Sequence, residues 1–216
     1  MAYTAHKTED EKMEFFDEPH VLDEKINKLA ELVRNSTNMA AFTGAGISTA
    51  AGIPDYRSGA NTVVETGAGC WEKAANIQKA RAEGKLKQEP TKVNFNVAIQ
   101  KAYPTKAHMA MKELMDRDIL KTIISQNVDG LHRKSGIPSD KIFEVHGNTN
   151  LEKCEKCKKD YMRDFKVREG KEGYFDHKTS RKCDDEQCNG QLYDSIINFN
   201  EELNQEIIAG AGMAGT

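Results

Sequence analysis

The chain has 216 residues, 30% of them charged, and a formal net charge of −3; that is enough for one sizeable core with a small inserted module, without the basic excess that draws a protein to nucleic acid or an anionic membrane. No apolar run is long enough to cross a bilayer, and the opening MAYTAHKTEDEKMEFFDEPH lacks a basic region followed by an apolar one, so a soluble intracellular protein is expected. Five cysteines, four of them in two local pairs, fit a reducing compartment and a metal site better than a disulfide scaffold.

Residues 1–18 are polar and carry both charges, and read as a mobile arm. Leu22, Ile26, Leu29, Leu32 and Val33 then recur about once per helical turn, which predicts a helix packed on a sheet. Asn35 to Asn38 break it, and Met39 to Phe42 read as the end of a buried strand running into Gly44 and Gly46. Glycine lets a backbone approach a phosphate closely. The third glycine of a dinucleotide fingerprint would fall at Thr49, however, and the next one here is Gly52. On the residues, a tight strand-to-helix turn competes with a nucleotide site. Ser48 and Thr49 offer hydroxyls, Arg57 offers a planar fork for phosphate, and Pro54 stiffens the loop that carries Asp55 and Arg57.

The stretch SGANTVVETGAGCWEKAANIQ is glycine-rich and then helical. Cys70 lies outside both cysteine pairs and reads as a packing residue beside Trp71; Lys79 to Gln88 read as a solvated helix or loop. Thr105 caps the next predicted helix, whose apolar face is Ala107, Met111, Leu114 and Met115, with His108 a structural histidine. Ile119 to Ile124 form a predicted buried strand, and a helix between two apolar strands is the grammar of a parallel α/β sheet. This strand delivers Gln126, Asn127 and Asp129 at its carboxyl end, where ligands bind in open α/β sheets. On spacing these residues read as a polar turn ended by Gly130. Ile142 to Val145 form a third strand ending in His146-Gly147-Asn148; a histidine there is commonly structural, although imidazole chemistry suits proton abstraction.

Cys154 and Cys157 are separated by two residues, Cys183 and Cys188 by four, and 25 residues lie between the pairs. Four thiolates favour one tetrahedral, structural zinc ion, because a closed set leaves no open position for chemistry. His177 is an unaccompanied alternative ligand. Gln191 to Phe199 return to strand-like apolar residues.

Three blocks together, GAGISTAAGIPDYRS from Gly44, SQNVDGLHRKSG from Ser125 and VHGN from Val145, followed by the four-cysteine module, resemble the sirtuins, the NAD-dependent protein deacylases, over roughly Phe16 to Leu203. The first helix and the loop sequence are most similar to the nuclear, chromatin-directed branch. The implied fold is α/β, a Rossmann-like parallel sheet with a small inserted zinc-binding module: residues 19–150 the NAD-binding domain, 151–192 the zinc module, and 193–216 a return strand and C-terminus. After Leu203, NQEIIAGAGMAGT shows no further strand pattern, whereas a sirtuin continues through a Gly-Thr-Ser segment into later strands. A sheet incomplete on its C-terminal side, with an unpaired edge, is therefore expected.

The resemblance further implies NAD as co-substrate, gripped by Gly44, Ala45, Gly46, Ser48, Arg57 and Gln126, with Asp55 ordering a mobile loop that closes over it. Asn127 and Asp129 would line the nicotinamide side of the pocket, and His146 would be the general base. The implied reaction removes an acyl group from a protein lysine: the acyl oxygen attacks the ribose carbon as nicotinamide leaves, His146 activates a ribose hydroxyl, and nicotinamide and O-acyl-ADP-ribose result. An acyl-lysine peptide would pair near a Phe-Gly-Glu motif that here reads Phe199, Asn200, Glu201, with a side chain where backbone approach is wanted. Histone is a candidate substrate, the nucleus a candidate compartment, and no nucleic-acid or membrane partner is implied. Protein mono-ADP-ribosyl transfer in the same pocket, and a non-catalytic zinc-containing binding module, are the alternatives.

Overall fold

The computed structural model describes residues 13–59, 62–85, 99–168, 176–198 and 200–214. Residues 1–12 of the expected arm, Ala60 and Asn61 of the loop after Arg57, residues 86–88 of the charged segment and Phe199 lie outside the described residues.

Three short strands, β1 (Met39–Thr43), β2 (Leu120–Ser125) and β3 (Ile142–Glu144), form a parallel sheet in the order β1-β2-β3. Parallel neighbours need long crossovers, and here the first carries helices α2 (Cys70–Ala82) and α3 (Lys106–Asp116), the second the short α4 (Leu131–Lys134). The core lies on β2: Leu120 and Ile123 pack with Ile137 and Ile142, and Met111, Leu114 and Met115 of α3 close over them. A last helix, α5 (Gln205–Ala214), lies close against β3, where a Cβ at Gly210 would meet the Phe143 ring. Thr105 caps α3 as expected, in a reciprocal box with His108. His108 takes the buried position that the apolar pattern assigns to Ala107, which is exposed.

Two expectations fail in the same region. The first helix, α1 (Pro19–Asn35), forms where periodicity predicts it, but Leu22, Ile26, Leu29 and Leu32 are 47–61% exposed rather than packed on the sheet. β1 is not a buried strand: it sits at the edge of the described sheet with Phe42 68% exposed. The described sheet is three strands wide, and its apolar cover comes from α3.

The second sheet is antiparallel, in the order β5-β4-β7-β6, built from β4 (Leu151–Cys154), β5 (Asp160–Met162), β6 (Lys178–Lys182) and β7 (Gln191–Asp194). Of the strand-like run from Gln191 onward, only these first four residues are strand, and they pair inside this module. The chain then passes back toward the parallel sheet, the Ile197 N–H donating to the His146 carbonyl at 3.1 Å.

Candidate active site and metal centre

Register places the site. Thr43 pairs with Ser125 and Ser125 with Glu144, so the three strands end side by side, and the Gln126 and Val145 N–H groups continue the ladder to the Thr43 and Ser125 carbonyls, both at 3.0 Å. Everything that follows each strand is delivered to one edge: the glycine turn, the Gln126–Asp129 segment and His146. Over this edge lies a cavity of about 780 Å³ lined by Ala45, Asp55, Arg57, Gln126, Asn127 and His146 among others.

Six of the expected site residues thus face one cavity, and the others stand behind it. Ser48 is buried and donates to Asp129 Oδ2 at 2.7 Å, while Asp129 Oδ1 accepts the Leu131 N–H at 2.9 Å. Asn127 Nδ2 donates to the Gly44 carbonyl at 3.0 Å and to Ser48 Oγ at 3.2 Å. Asp129 and Ser48 therefore stand behind Asn127 and the turn and are not pocket walls. A Cβ at Gly44 would stand 3.5 Å from Gln126 Oε1, whereas nothing comes within 4 Å of one at Gly46. The turn itself is a 3₁₀ helix, Ala45–Ala51, closed by left-handed Gly52.

Asp55 organises its own loop. Its carboxylate accepts the Arg57 N–H at 3.1 Å, the Ser58 N–H at 2.9 Å and the Ser58 hydroxyl at 2.5 Å, an Asx turn that satisfies local backbone donors. Its carbonyl accepts the Cys70 N–H at 2.9 Å, and the Trp71 N–H reaches the Tyr56 carbonyl at 3.0 Å. The Arg57 guanidinium lies 5.4 Å over the Trp71 ring, which is also 5.3 Å from Tyr56, a cation–π arrangement that presents Arg57 at the cavity. Cys70 is half-buried, and burial pushes its thiol up, as suits a packing residue.

His146 is half-buried at the end of β3, and its Nδ1 lies 3.0 Å from the Gln126 carbonyl. A carbonyl only accepts, so Nδ1 carries the proton and Nε2 is the basic nitrogen of the neutral ring. Gly147 follows with φ +81°, and a Cβ there would collide with the Ser195 carbonyl, so glycine is required for this close approach. Beneath the turn, Glu144 is buried between Arg133 (2.8 Å) and Asn148 (2.6 Å), and desolvation pushes its carboxyl up.

Asn200 and Glu201 of the expected peptide-pairing motif also line the cavity, with Leu203, whereas sequence reasoning gave no site role to Tyr56, Trp71, Val128, Arg168, Ile196, Ile197 and Asn198. Trp71, the one tryptophan of the chain, carried a signal only through its closeness to Cys70. Arg168 carried none, because the antiparallel module brings it to the cavity.

The four sulfurs of Cys154, Cys157, Cys183 and Cys188 all lie within 4.8 Å of one another, with Cys154–Cys188 and Cys157–Cys183 each at 3.6 Å. Tetrahedral zinc with Zn–S near 2.3 Å sets sulfur–sulfur edges of about 3.8 Å, so the donor set fits one closed structural zinc ion. His177 lies outside this group. Tyr161 Oη stands 2.9 Å from Cys183 Sγ, an outer contact of the kind that orients metal ligands.

A profile of the Sir2 family matches residues 44–213. The chain is 40% identical over 190 residues to NAD-dependent protein deacetylase SRT1 of Arabidopsis thaliana, covering 88% of this chain and 35% of that protein. It is 37% identical to NAD-dependent protein deacetylase sirtuin-7 of Homo sapiens, covering 87% and 41%. The chain thus spans between a third and a half of the length of these relatives. Among solved structures, a Sir2 homologue mutant in complex with ADP-ribose superposes with a TM-score of 0.57 at 26% identity, covering 87% of this chain and 69% of that one.

Proposed function

The chain belongs to the Sir2 family, and we propose that it removes acyl groups from protein lysine with consumption of NAD, giving nicotinamide and O-acyl-ADP-ribose. The observation that carries this reading is His146: an imidazole whose Nδ1 stands against the Gln126 carbonyl, on the wall of a cavity that also holds Arg57, Gln126 and Asn127. NAD would supply the electrophilic ribose carbon and the nicotinamide leaving group. Arg57 would grip its phosphates, the Gly44–Ala45–Gly46 turn would approach its backbone, and Gln126 would meet the ribose. Asn127, held by the turn through its amide nitrogen and backed by Ser48 and Asp129, would meet the carboxamide. His146 Nε2 would take the proton of a ribose hydroxyl, with Nδ1–H held by the Gln126 carbonyl as charge develops. Positioning and exclusion of water provide the rest. Zinc would be bound by Cys154, Cys157, Cys183 and Cys188, at a distance from the chemistry, and would hold the module. The acyl-lysine peptide would lie along Ile196 and Ile197 of the cavity wall. The reading extends to a histone substrate and a nuclear location, which the likeness to sirtuin-7 supports.

The test is turnover of an acetyl-lysine peptide with both products quantified and His146→Ala alongside. Matched nicotinamide and acyl-ADP-ribose, reduced by at least about a hundredfold in the variant at unchanged zinc content and melting temperature, is the expected result. Nicotinamide without acyl-ADP-ribose would favour ADP-ribosyl transfer. No product from a folded, zinc-loaded chain would favour a binding module.

A further inference from the structure

A polar cluster joins the antiparallel module to the wall of the cavity, and the chemistry above does not use it. Arg168 grips the buried Asp194 with two bonds, Nε to Oδ2 and Nη2 to Oδ1, both 2.9 Å, and its Nη1 donates to Asn198 Oδ1 at 2.8 Å. Arg168 Nη2 also stands 3.0 Å from His177 Nδ1. His177 Nδ1 lies 3.3 Å from Asp194 Oδ1 as well, and because a carboxylate only accepts, Nε2, 3.1 Å from Glu201 Oε1, carries a proton. The Glu201 carboxylate in turn accepts the Asn198 main-chain N–H at 2.6 Å and its side-chain amide at 2.7 Å. Arg168, Asn198 and Glu201 line the cavity, and His177 ties them together from behind.

His177 has φ +57°, in the left-handed region where asparagine, aspartate and histidine are the enriched side chains. Its carbonyl accepts the Asp194 N–H at 2.8 Å, and the next residues are β6, which ends beside the ligand Cys183. One continuous path therefore runs from a metal-binding cysteine through β6 and His177 to Glu201.

We propose that His177 is a positioning residue that transmits the order of the metal-loaded module to the cavity-wall residues Ile196, Ile197, Asn198 and Glu201, so that the fit of the acyl-lysine peptide depends on zinc. The peptide part of this statement rests on the function proposed above; the mechanical part does not. It is tested by amide hydrogen exchange on the zinc-loaded chain, its His177→Ala and His177→Gln variants, and the chelator-treated chain. In His177→Ala, exchange across the segment 195–203 accelerates about tenfold, the equivalent of one charge-assisted hydrogen bond, while zinc content and the exchange of β1, β2 and β3 stay unchanged. Gln offers Glu201 an amide donor in place of Nε2, and restores protection. Chelation accelerates the same segment in the unsubstituted chain. Should His177→Ala fail to fold, His177→Asn, at ease with φ +57° but too short to span Arg168 and Glu201, gives the same local acceleration. Undiminished protection in the Ala variant, equal acceleration in the Ala and Gln variants, or protection that survives chelation overturns the proposal. Where turnover is present, the peptide KM rises about tenfold, the same free energy again, with kcat and the NAD KM little moved. Absence of turnover would count against the proposed reaction alone, because exchange reads the linkage directly.

Discussion

Around β2 the parallel sheet buries Leu120, Ile123, Ile137 and Ile142, with Met39, Ala41, Met111, Leu114 and Met115 against them. The antiparallel module buries Tyr161 and Leu192 with Cys154 and Cys183, and it places the carboxylate of Glu152 at its centre, gripped by Arg163 at 2.9 Å and Arg181 at 2.7 Å. Apolar packing weakens gradually as atoms are removed, whereas a buried ion pair or a metal set is strong only when complete. The cavity lies where these two regimes meet, with its glycine-turn side set by strand register and its far wall set by the module.

The largest effect that would separate the two halves is loss of the metal. Cys154→Ser should release zinc and unfold the module while the parallel sheet keeps its exchange protection, since folding of such a module is coupled to metal binding. Metal analysis and exchange mapping check this together. Full zinc content with intact β4 to β7 would show that apolar packing holds the module after all.

The same contrast explains what could be read from the sequence. β2, β3, α1, α3 and the four-cysteine set were legible because each rests on a local pattern: an apolar run, a helical period, a cap at Thr105, a thiolate spacing. Gly44, Arg57, Gln126, Asn127 and His146 were legible only in concert, since each by itself has an ordinary structural reading. What stayed hidden depends on tertiary placement. The stripe of α1 predicts a buried face, but periodicity says nothing of whether a partner layer is present. Arg168 and Asn198 are ordinary polar residues until the module folds back on the sheet and Asp194 orients the guanidinium. Ser48 and Asp129, expected to face the cofactor, hydrogen-bond to each other one layer behind the cavity wall.

A smaller effect distinguishes the halves by pH. His108 and His132 are buried with their rings 4.8 Å apart behind the glycine turn; Thr43 Oγ1 holds His132 Nε2 at 2.9 Å, and Thr105 Oγ1 ties the His108 cap to the Ile47 carbonyl. Burial first, and the neighbouring His108 second, push His132 down from 6.5 to about 4. The unfolded chain then binds more protons than the folded one between these values, so the stability due to neutral His132 is complete above pH 6.5 and is lost as pH falls toward about 4. Urea midpoints measured from pH 7 downward should therefore fall, and His132→Gln should flatten the part of that decline above pH 5, before most carboxylates titrate. Parallel curves for the two proteins would remove His132 as the source.

The smallest expected effect concerns the one stretch near the glycine-turn side that register does not fix. Residues 13–18, read from the sequence as part of a mobile arm, carry two anchors: Asp17 pairs with Lys25 at 2.7 Å, and Glu14 accepts the Thr62 hydroxyl at 2.5 Å and the Val63 N–H at 3.0 Å. Those two bonds hold the Glu14 carboxyl below its ordinary value. The loop they reach is pinned at its base by the Cys70, Trp71 and Gly69 N–H groups on the Asp55, Tyr56 and Ser58 carbonyls. Glu14→Ala should leave the melting temperature unmoved, because the bonds are exposed to solvent, while amide exchange at Val63 accelerates and exchange at Cys70 and Trp71 does not. If Val63 exchanges equally in both proteins, the arm contributes nothing, and the loop beside Arg57 is ordered from its base by the Asp55 turn.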